Sequence, residues 1–352
     1  MFRLIPTRTA AIGASLAATL AAVLLAAPNA RADLEVVASI KPIHSLVAGV
    51  MEGDRAPGLI IEGRTSPHSY SLRPSDARRL QDADLVFWIG HSLEAFLKKP
   101  IESLGPHTVA VKLLDAPGVA ALPVRTGATF ETDDHSDGDH GDGPPPREHA
   151  DGEHENGGRG HDEEPERLGK SAQRGDDADA ANPHIWLDPA NAQAMVRAIA
   201  QALIAADPEH APLYAANAQS MHERIAALSA ELDATLAPAR DRPFFVFHDA
   251  YQYMERRYGL TAAGSITVNA EISPGAGRIR EIADRIRTLG ATCVFSEPQF
   301  PPKLVEVVTS GTGARTGVLD PLGTNIPAGP DHYFTLMRTM AASMRACLSP
   351  TG

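Results

Sequence analysis

The chain has 352 residues, of which 43% are hydrophobic and 5% aromatic, and its formal net charge is −12 at pH 7. This length predicts two domains with enough apolar material for real cores. Residues 131–180 hold 17 acidic and 5 basic side chains, so the charge belongs to one segment, and the chain shows neither the basic patch of a nucleic-acid-binding protein nor a generally acidic surface.

The first 32 residues have the pattern of a cleavable secretory signal peptide. Arg3 and Arg8 form a positive start, an Ala- and Leu-rich run extends from about Ala10 to Ala27, and Ala30-Arg31-Ala32 provides a small-x-small cleavage site. A membrane anchor is the alternative, but the run is shorter than the roughly 20 residues of a span and breaks at Pro28. We expect cleavage after Ala32, export to the periplasm and no insertion into the membrane.

The next part of the chain predicts a lobe of alternating strands and helices. Runs rich in β-branched residues indicate strands at residues 34–40, 56–63, 85–89 and 107–114. Apolar residues at helical spacing indicate a helix after residue 40 and a second one opened by Ser75 or Asp76. This alternation favours a parallel, doubly wound sheet.

A segment of different composition interrupts the pattern. Residues 131–180, called the insertion below, are rich in Gly, Pro, Asp, Glu and His. Such a composition buries too little apolar surface to offset chain entropy, so we expect disorder in the absence of metal.

The pattern resumes with a loop and a helix after residue 182, followed by an unusually long helical segment. Residues 208–236 contain no glycine and only Pro212 inside. A helix of this extent would be about 43 Å long, which suits a rigid strut between two lobes, although an ordinary surface helix is the alternative. A second series follows, with strands at 243–248 and 291–297, a strand end at 316–323, and helices at 276–290 and 331–349.

The two cysteines, Cys293 and Cys347, are far apart in the sequence. In an oxidising exported compartment, two lone cysteines favour one disulfide. A thiolate metal site is the weaker alternative, because zinc thiolate sites usually pair closely spaced cysteines.

Three histidines share a context typical of ligand sites. His68 follows a strand, His184 lies between prolines in a tight connection, and His248 comes directly after a buried strand. The carboxyl ends of strands line the ligand crevice of α/β sheets. Asp320 also lies at a strand end. Three imidazoles with one carboxylate or water suit Zn²⁺, whereas more oxygen ligands would suit Mn²⁺. Structural histidines, and a turn cap at Asp320, are the alternatives.

Longer blocks of the sequence resemble a known family. The blocks "HSYSLRPSDARRLQDADLVFW", "PHIWLDP", "FFVFHDAYQYMERRYGL", "TCVFSEPQF" and "LDPLGTNI" are similar, in this order, to those of ZnuA-type zinc receptors, the periplasmic substrate-binding subunits of high-affinity zinc ABC importers. The match covers nearly the whole mature chain and includes a His- and Asp-rich insertion at this place.

The resemblance implies an α/β fold of two Rossmann-like lobes, each a parallel sheet flanked by helices, with a long rigid connecting helix and a metal site in the interlobe cleft. The expected domains are an N-terminal lobe at 33–206, interrupted by the insertion, the connecting helix at 207–239 and a C-terminal lobe at 240–352. By motif, His68, His184 and His248 are metal ligands and Asp320 completes or approaches the metal shell. Cys293 and Cys347 match the family's disulfide.

One departure affects the fourth ligand. Some zinc receptors carry a glutamate just before the first histidine ligand, where this chain has Pro67. Water or Asp320 is therefore expected in the fourth position. Glu297 is a candidate partner of a ligand histidine, with a surface or helix-start carboxylate as the alternative.

The insertion offers auxiliary, weaker metal ligands at five positions: His135, His140, His149, His154 and His161. A chain that must lose entropy to gather around an ion binds less tightly than a preformed site, so the insertion is expected to recruit or buffer zinc. A solvated acidic spacer is the alternative.

The expected function is capture of Zn²⁺ and delivery to the permease of an ABC importer and its ATPase, by a monomer that is not an enzyme. Three alternatives stay open: a manganese receptor of the same fold, a periplasmic zinc hydrolase, and a zinc buffer or adhesin without a transporter. The hydrolase is disfavoured because the sequence has no HExxH motif and no carboxylate obviously poised as a general base.

Overall fold

The computed structural model of the chain describes residues 34–125, 130, 181–267 and 274–349. From Glu35 onward the described residues belong to one structural unit. The predicted signal peptide, the insertion and its five histidines lie outside the described residues, so these remain predictions. Among the helices that the structure describes, none combines the length and the hydropathy that a membrane span requires.

Helices and strands alternate as the sequence predicts. The helices of the described ranges are, in chain order, α1 (Lys41–Val50), α2 (Pro74–Asp82), α3 (Lys98–Glu102), α4 (Pro189–Ala206), α5 (Ala211–Leu236), α6 (Gln252–Tyr258), α7 (Ala276–Leu289), α8 (Lys303–Thr309) and α9 (His332–Leu348). The strands are β1 (Val36–Ala38), β2 (Gly58–Leu59), β3 (Leu85–Trp88), β4 (Val109–Lys112), β5 (Phe244–Val246), β6 (Ala262–Ser265), β7 (Cys293–Ser296) and β8 (Arg315–Val318).

The first four strands form one parallel sheet in the order β2–β1–β3–β4. Its central strands are buried along their whole length, which explains why they consist of Val, Ala, Leu and aromatic residues without polar alternation. Helix α1 is also buried on every side, since it contacts β1 and β2 as well as helices α4, α5 and α9. This sheet is the parallel lobe that the sequence predicts.

The last four strands form a second parallel sheet in the order β6–β5–β7–β8. Phe245 and Val294, from its two central strands, lie in a core with Ile282 and Ile286 of α7 and Val308 of α8. Two parallel sheets flanked by helices confirm the predicted fold class. The sequence analysis missed β6 and the short helices α3, α6 and α8. Strand β6 reads Ala-Ala-Gly-Ser and lacks the β-branched and aromatic residues that mark a strand.

Helix α5 is the predicted long helix, but it begins later than expected. Residues 208–210 form a turn, and the helix runs for 26 residues from Ala211 to Leu236, about 39 Å. Local interactions explain the later start. Pro212 lies in the first turn of the helix, where its missing N–H leaves no hydrogen bond unmade. His210 forms a hydrogen bond with Asp207 in the preceding turn. The predicted division at 33–206, 207–239 and 240–352 remains a prediction.

Helix α2 begins at Pro74, one or two residues before the predicted start at Ser75 or Asp76. Asp76 does not open the helix but accepts a hydrogen bond from the backbone N–H of Arg73 at 3.1 Å. The hydroxyl of Tyr70 donates to the same carboxylate oxygen at 2.7 Å. Asp76 therefore ties the segment after His68 to the first turn of the helix.

The disulfide between Cys293 and Cys347 is present, with Cα atoms 5.9 Å apart. It joins the start of β7 to the last turn of α9. The prediction that the two cysteines pair is thereby confirmed, and the C-terminal helix is covalently attached to the second sheet.

Candidate metal centre

Three histidines that are far apart in the sequence converge at one point. The Nε2 atoms of His68 and His184 lie 3.4 Å apart, and those of His184 and His248 lie 3.2 Å apart. All three rings offer a nitrogen within 4.8 Å of the others. Two nitrogens bound to one tetrahedral zinc at about 2.0–2.1 Å would be roughly 3.3–3.4 Å apart. The observed spacing therefore fits a shared metal ion.

Each histidine is placed by a different segment. His68 lies in the loop between β2 and α2, where its backbone N–H donates to the Ser66 hydroxyl at 3.3 Å. His184 precedes the short 3₁₀ turn Ile185–Leu187 that leads into α4. His248 follows β5 after one residue. The first two segments flank elements of the first sheet, and the third extends from the second sheet.

Hydrogen bonds at Nδ1 determine which nitrogen of His184 faces the others. Its Nδ1 lies 2.8 Å from Oδ1 of Asn182, an oxygen that also accepts the backbone N–H of His184 at 3.1 Å. The Nδ2 group of Asn182 faces two oxygens, the carbonyl of Asp249 and the side chain of Gln252, which fixes the amide orientation. His184 therefore carries its proton on Nδ1 and presents an Nε2 lone pair to the cluster.

Glu297 orients the ring of His248 in the same way, through a hydrogen bond at Nδ1. Its Oε1 atom lies 2.7 Å from Nδ1 of His248 and 3.4 Å from the backbone nitrogen. A carboxylate accepts, so Nδ1 of His248 donates and Nε2 is free for a metal. Glu297 is 3% exposed, which excludes the surface-carboxylate alternative. A buried carboxylate on the distal nitrogen of a histidine is the arrangement that orients metal ligands and raises their basicity.

Burial keeps two of the imidazoles neutral. Desolvation, with a smaller contribution from the neighbouring His248, lowers the pKa of His68 to about 3. The same two causes, joined by His68, lower the pKa of His184 well below its usual value. A neutral imidazole is the form that binds metal. At neutral pH these rings therefore need not lose a proton before they bind.

The three rings border a small cavity of about 10 Å³. Its walls also include Trp186, Phe300 and Leu322, together with the polar side chains of Glu297 and Gln299. This volume is about that of one water-sized probe. The cavity therefore has room for a single ion between the rings.

Asp320 lies outside this cluster. Its Oδ1 accepts from Gln299 Nε2 at 2.7 Å and from the Leu322 N–H at 3.2 Å. Its Oδ2 accepts from the N–H and the hydroxyl of Thr324 at 2.6 and 2.7 Å. These contacts are those of a turn cap, which was the alternative interpretation. To reach a metal the carboxylate would have to give up several of them, so its role as a ligand stays a prediction.

A second cluster of potential ligand atoms, which the sequence analysis did not identify, lies at the start of α5. Asp54, Asp207 and His210 approach one another, but these groups already have partners. His210 pairs with Asp207 at 2.6 Å, and the hydroxyl of Tyr214 donates to Asp54 at 2.7 Å. The contacts tie the turn after α1 to the corner between α4 and α5.

Sequence reasoning also missed Asn182 and Gln299. Asn182 orients His184, and Gln299 holds Asp320. Both lie within two residues of a predicted site residue, in the blocks "NPHIW" and "SEPQF". Only proximity in the sequence could have suggested them, because their partners, Asp249 and Asp320, lie elsewhere in the chain.

Comparison with known proteins gives a consistent result. A family model described as "Zinc-uptake complex component A periplasmic" (ZnuA) matches residues 36–347. The high-affinity zinc uptake system protein ZnuA of Brucella suis biovar 1 is 49% identical over 314 residues, which cover 89% of this chain and 91% of that protein. A crystal structure of ZnuA superposes with a TM-score of 0.68 at 21% identity, over 90% of this chain and 100% of that one. A deletion mutant of ZnuA with zinc bound superposes with a TM-score of 0.67 at 21% identity, over 91% and 100%.

Proposed function

The chain belongs to the ZnuA family of periplasmic zinc-uptake components, and from this premise we propose that it captures Zn²⁺ between His68, His184 and His248. It is a zinc-binding receptor of an ABC importer, and its cargo is the metal ion itself. The observation that carries the ligand assignment is the convergence of three Nε2 atoms at the spacing of a tetrahedral zinc site.

The donor set favours zinc over manganese. Three imidazole nitrogens form the cluster, and the nearby carboxylates of Glu297 and Asp320 are engaged by His248 and by a turn. Mn²⁺ prefers sites richer in oxygen ligands, whereas imidazole suits zinc. A water molecule is the proposed fourth ligand, since Asp320 would have to leave its hydrogen bonds to bind.

We propose that the centre binds metal without catalysis. A zinc hydrolase needs an open position that reaches a substrate and a general base directed at the metal-bound water. The carboxylate that lines the cavity, Glu297, accepts a hydrogen bond from the far side of His248. The expected partner is the permease of the importer with its ATPase.

Release requires a movement that separates the ligands. His184 lies before α4, which packs on α1 and β3 of the first sheet, and His248 extends from the second sheet. A small displacement between these elements lengthens several metal–nitrogen bonds together. We propose that docking to the permease supplies this displacement. Delivery of the signal-cleaved chain to the periplasm, with cleavage after Ala32, belongs to the same proposal.

Calorimetric titration of Zn²⁺ into the mature protein and three variants tests the assignment. The mature protein and a variant that lacks residues 131–180 are expected to bind one zinc ion tightly, and His184→Ala is expected to lose that site. His107→Ala is the matched control, because His107 is exposed and lies outside the cluster. Tight binding by His184→Ala, or its loss on removal of the insertion, would refute the assignment.

A further inference from the structure

The two chain segments that flank the insertion are joined to each other. Pro123 and Ala181 form an antiparallel bridge, and the backbone N–H of Asn182 donates to the carbonyl of Leu122 at 2.8 Å. We call residues 122–125 and 181–184 the stem. Its second segment ends at His184, so the base of the insertion is continuous with a proposed metal ligand.

A buried phenol attaches both segments of the stem to helix α6. The hydroxyl of Tyr253 accepts the N–H of Leu122 at 3.0 Å and donates to the carbonyl of Asn182 at 2.6 Å. Tyr253 is 2% exposed, so these bonds are shielded from competing water. Helix α6 begins four residues after His248, which places the attachment next to another proposed ligand.

Arg125, in the first segment of the stem, binds the same region through its guanidinium group. Its Nε donates to Asp249 at 2.8 Å, and both terminal nitrogens donate to Glu255 at 2.9 Å. The ring of Phe130 lies over the guanidinium at 3.5 Å. Glu255 is 8% exposed, and Asp249 directly follows His248 in the chain. Charge-assisted bidentate contacts of this kind are strong and geometrically specific.

Asn182 connects the stem directly to the ring of His184. Its Oδ1 accepts from the backbone and ring nitrogens of His184, and its Nδ2 donates to the carbonyl of Asp249 at 3.0 Å. The side chain is 2% exposed and both ends of its amide are used. One residue therefore fixes the ring of His184 and links it to the turn that carries His248.

We propose that the stem is a positioning element of the metal centre: Asn182 and Arg125 fix the ring of His184 relative to the segment of His248. The inference rests on the proposed function of these histidines. In this proposal the stem supports zinc binding at the metal centre independently of the five histidines in the insertion. Because coupling between two sites is reciprocal, zinc in the centre stabilises the stem, and opening of the stem weakens zinc binding.

Substitutions in the stem test this role. Replacing residues that orient metal ligands typically costs about 10- to 100-fold in affinity, so Asn182→Ala is expected to raise the zinc Kd by that factor. Asn182→Asp keeps an acceptor for His184 and is expected to lie closer to the wild-type Kd. Arg125→Ala is expected to speed zinc dissociation several-fold. Arg338→Ala is the control, since Arg338 forms a similar bidentate pair with Glu231 between α9 and α5 and should leave both constants unchanged.

The midpoint of thermal unfolding of each zinc-free variant distinguishes a positioning role of the stem from a purely structural one. If Asn182→Ala and Arg125→Ala lower the midpoint but keep the wild-type Kd and dissociation rate, the stem is merely structural and the inference is wrong. Hydrogen exchange gives a second readout in the unaltered protein: the amides of Leu122 and Asn182 should exchange more slowly with zinc bound, and equal rates would also overturn the inference. Loss of tight binding in His184→Ala, measured in parallel, shows whether the proposed function itself holds.

Discussion

The Nε2 atoms of His184 and His248 lie 3.2 Å apart, while the Nδ1 atom of each ring donates to a side-chain oxygen on the opposite side of the ring. The gap between the two nitrogens is too short for a water molecule, but it matches the spacing of two nitrogens bound to one zinc ion. Asn182 and Glu297 hold the rings in this orientation, so the ligands are arranged for zinc before it binds.

The lowered pKa values predict that zinc binding releases few protons. At pH 6 an imidazole with an ordinary pKa of 6.5 is about three-quarters protonated, so three such ligands would release more than two protons. The pKa of His68 is about 3, and that of His184 is also well below its usual value, so these two are already neutral at pH 6. Titrations in buffers of different ionisation enthalpy should show release of at most one proton per zinc. Release of about two or more protons per zinc would contradict the lowered pKa values of His68 and His184.

Glu297 is predicted to set the affinity through His248. Glu297→Gln keeps an oxygen that can accept from Nδ1 but removes the charge, so zinc affinity should fall by about 10-fold, and Glu297→Leu should approach the 100-fold end of the range. Competition with a chromophoric zinc chelator measures both. Glu281→Gln, an exposed glutamate that pairs with Arg278 on α7, is the matched control. Equal affinities for Glu297→Leu and the control would show that the contact has no role in binding.

Asp320 is predicted to contribute more to the free energy of unfolding than to the zinc affinity. Asp320→Ala removes the acceptor for Gln299 and Thr324, and loss of such partners typically costs about 1–3 kcal/mol. The free energy of unfolding, from denaturant titration of the zinc-free protein, should fall accordingly while the zinc Kd stays within a few-fold of wild type. A loss of affinity of a thousand-fold or more would instead establish Asp320 as the fourth ligand.

Zinc binding is predicted to change the overall shape only slightly. Helix α5 packs against α1, α4 and α9. Lys41 of α1 also joins the first half of the chain to the second, because its Nζ donates to the carbonyls of Thr324 and Ile326 at 2.8 and 3.0 Å. Small-angle scattering of a variant that lacks residues 131–180 should give nearly equal radii of gyration with and without zinc. A marked compaction on loading would show that the lobes close widely.

Much of this architecture could be predicted from local sequence. Strand β3 is a continuous apolar run, and His248 follows the apolar run of β5, so the strand-end position of that ligand is evident from the order of residues alone. Asp320 was placed correctly after a strand, but its alternatives could not be separated, because Gln299 approaches it only in the folded chain. The contacts of Asn182 with Asp249 and of Glu297 with His248 likewise form only when tertiary packing brings these residues together. Strand β6 was missed because tertiary burial, not propensity, makes Ala-Ala-Gly-Ser a strand.

The most direct test of the shared zinc site is anomalous diffraction at the zinc edge from crystals of the full mature protein loaded with one equivalent of zinc. The expected result is one strong peak about 2.0–2.1 Å from the Nε2 atoms of His68, His184 and His248. A peak held only by histidines of the insertion, with no anomalous density among the three converging rings, would contradict the central claim.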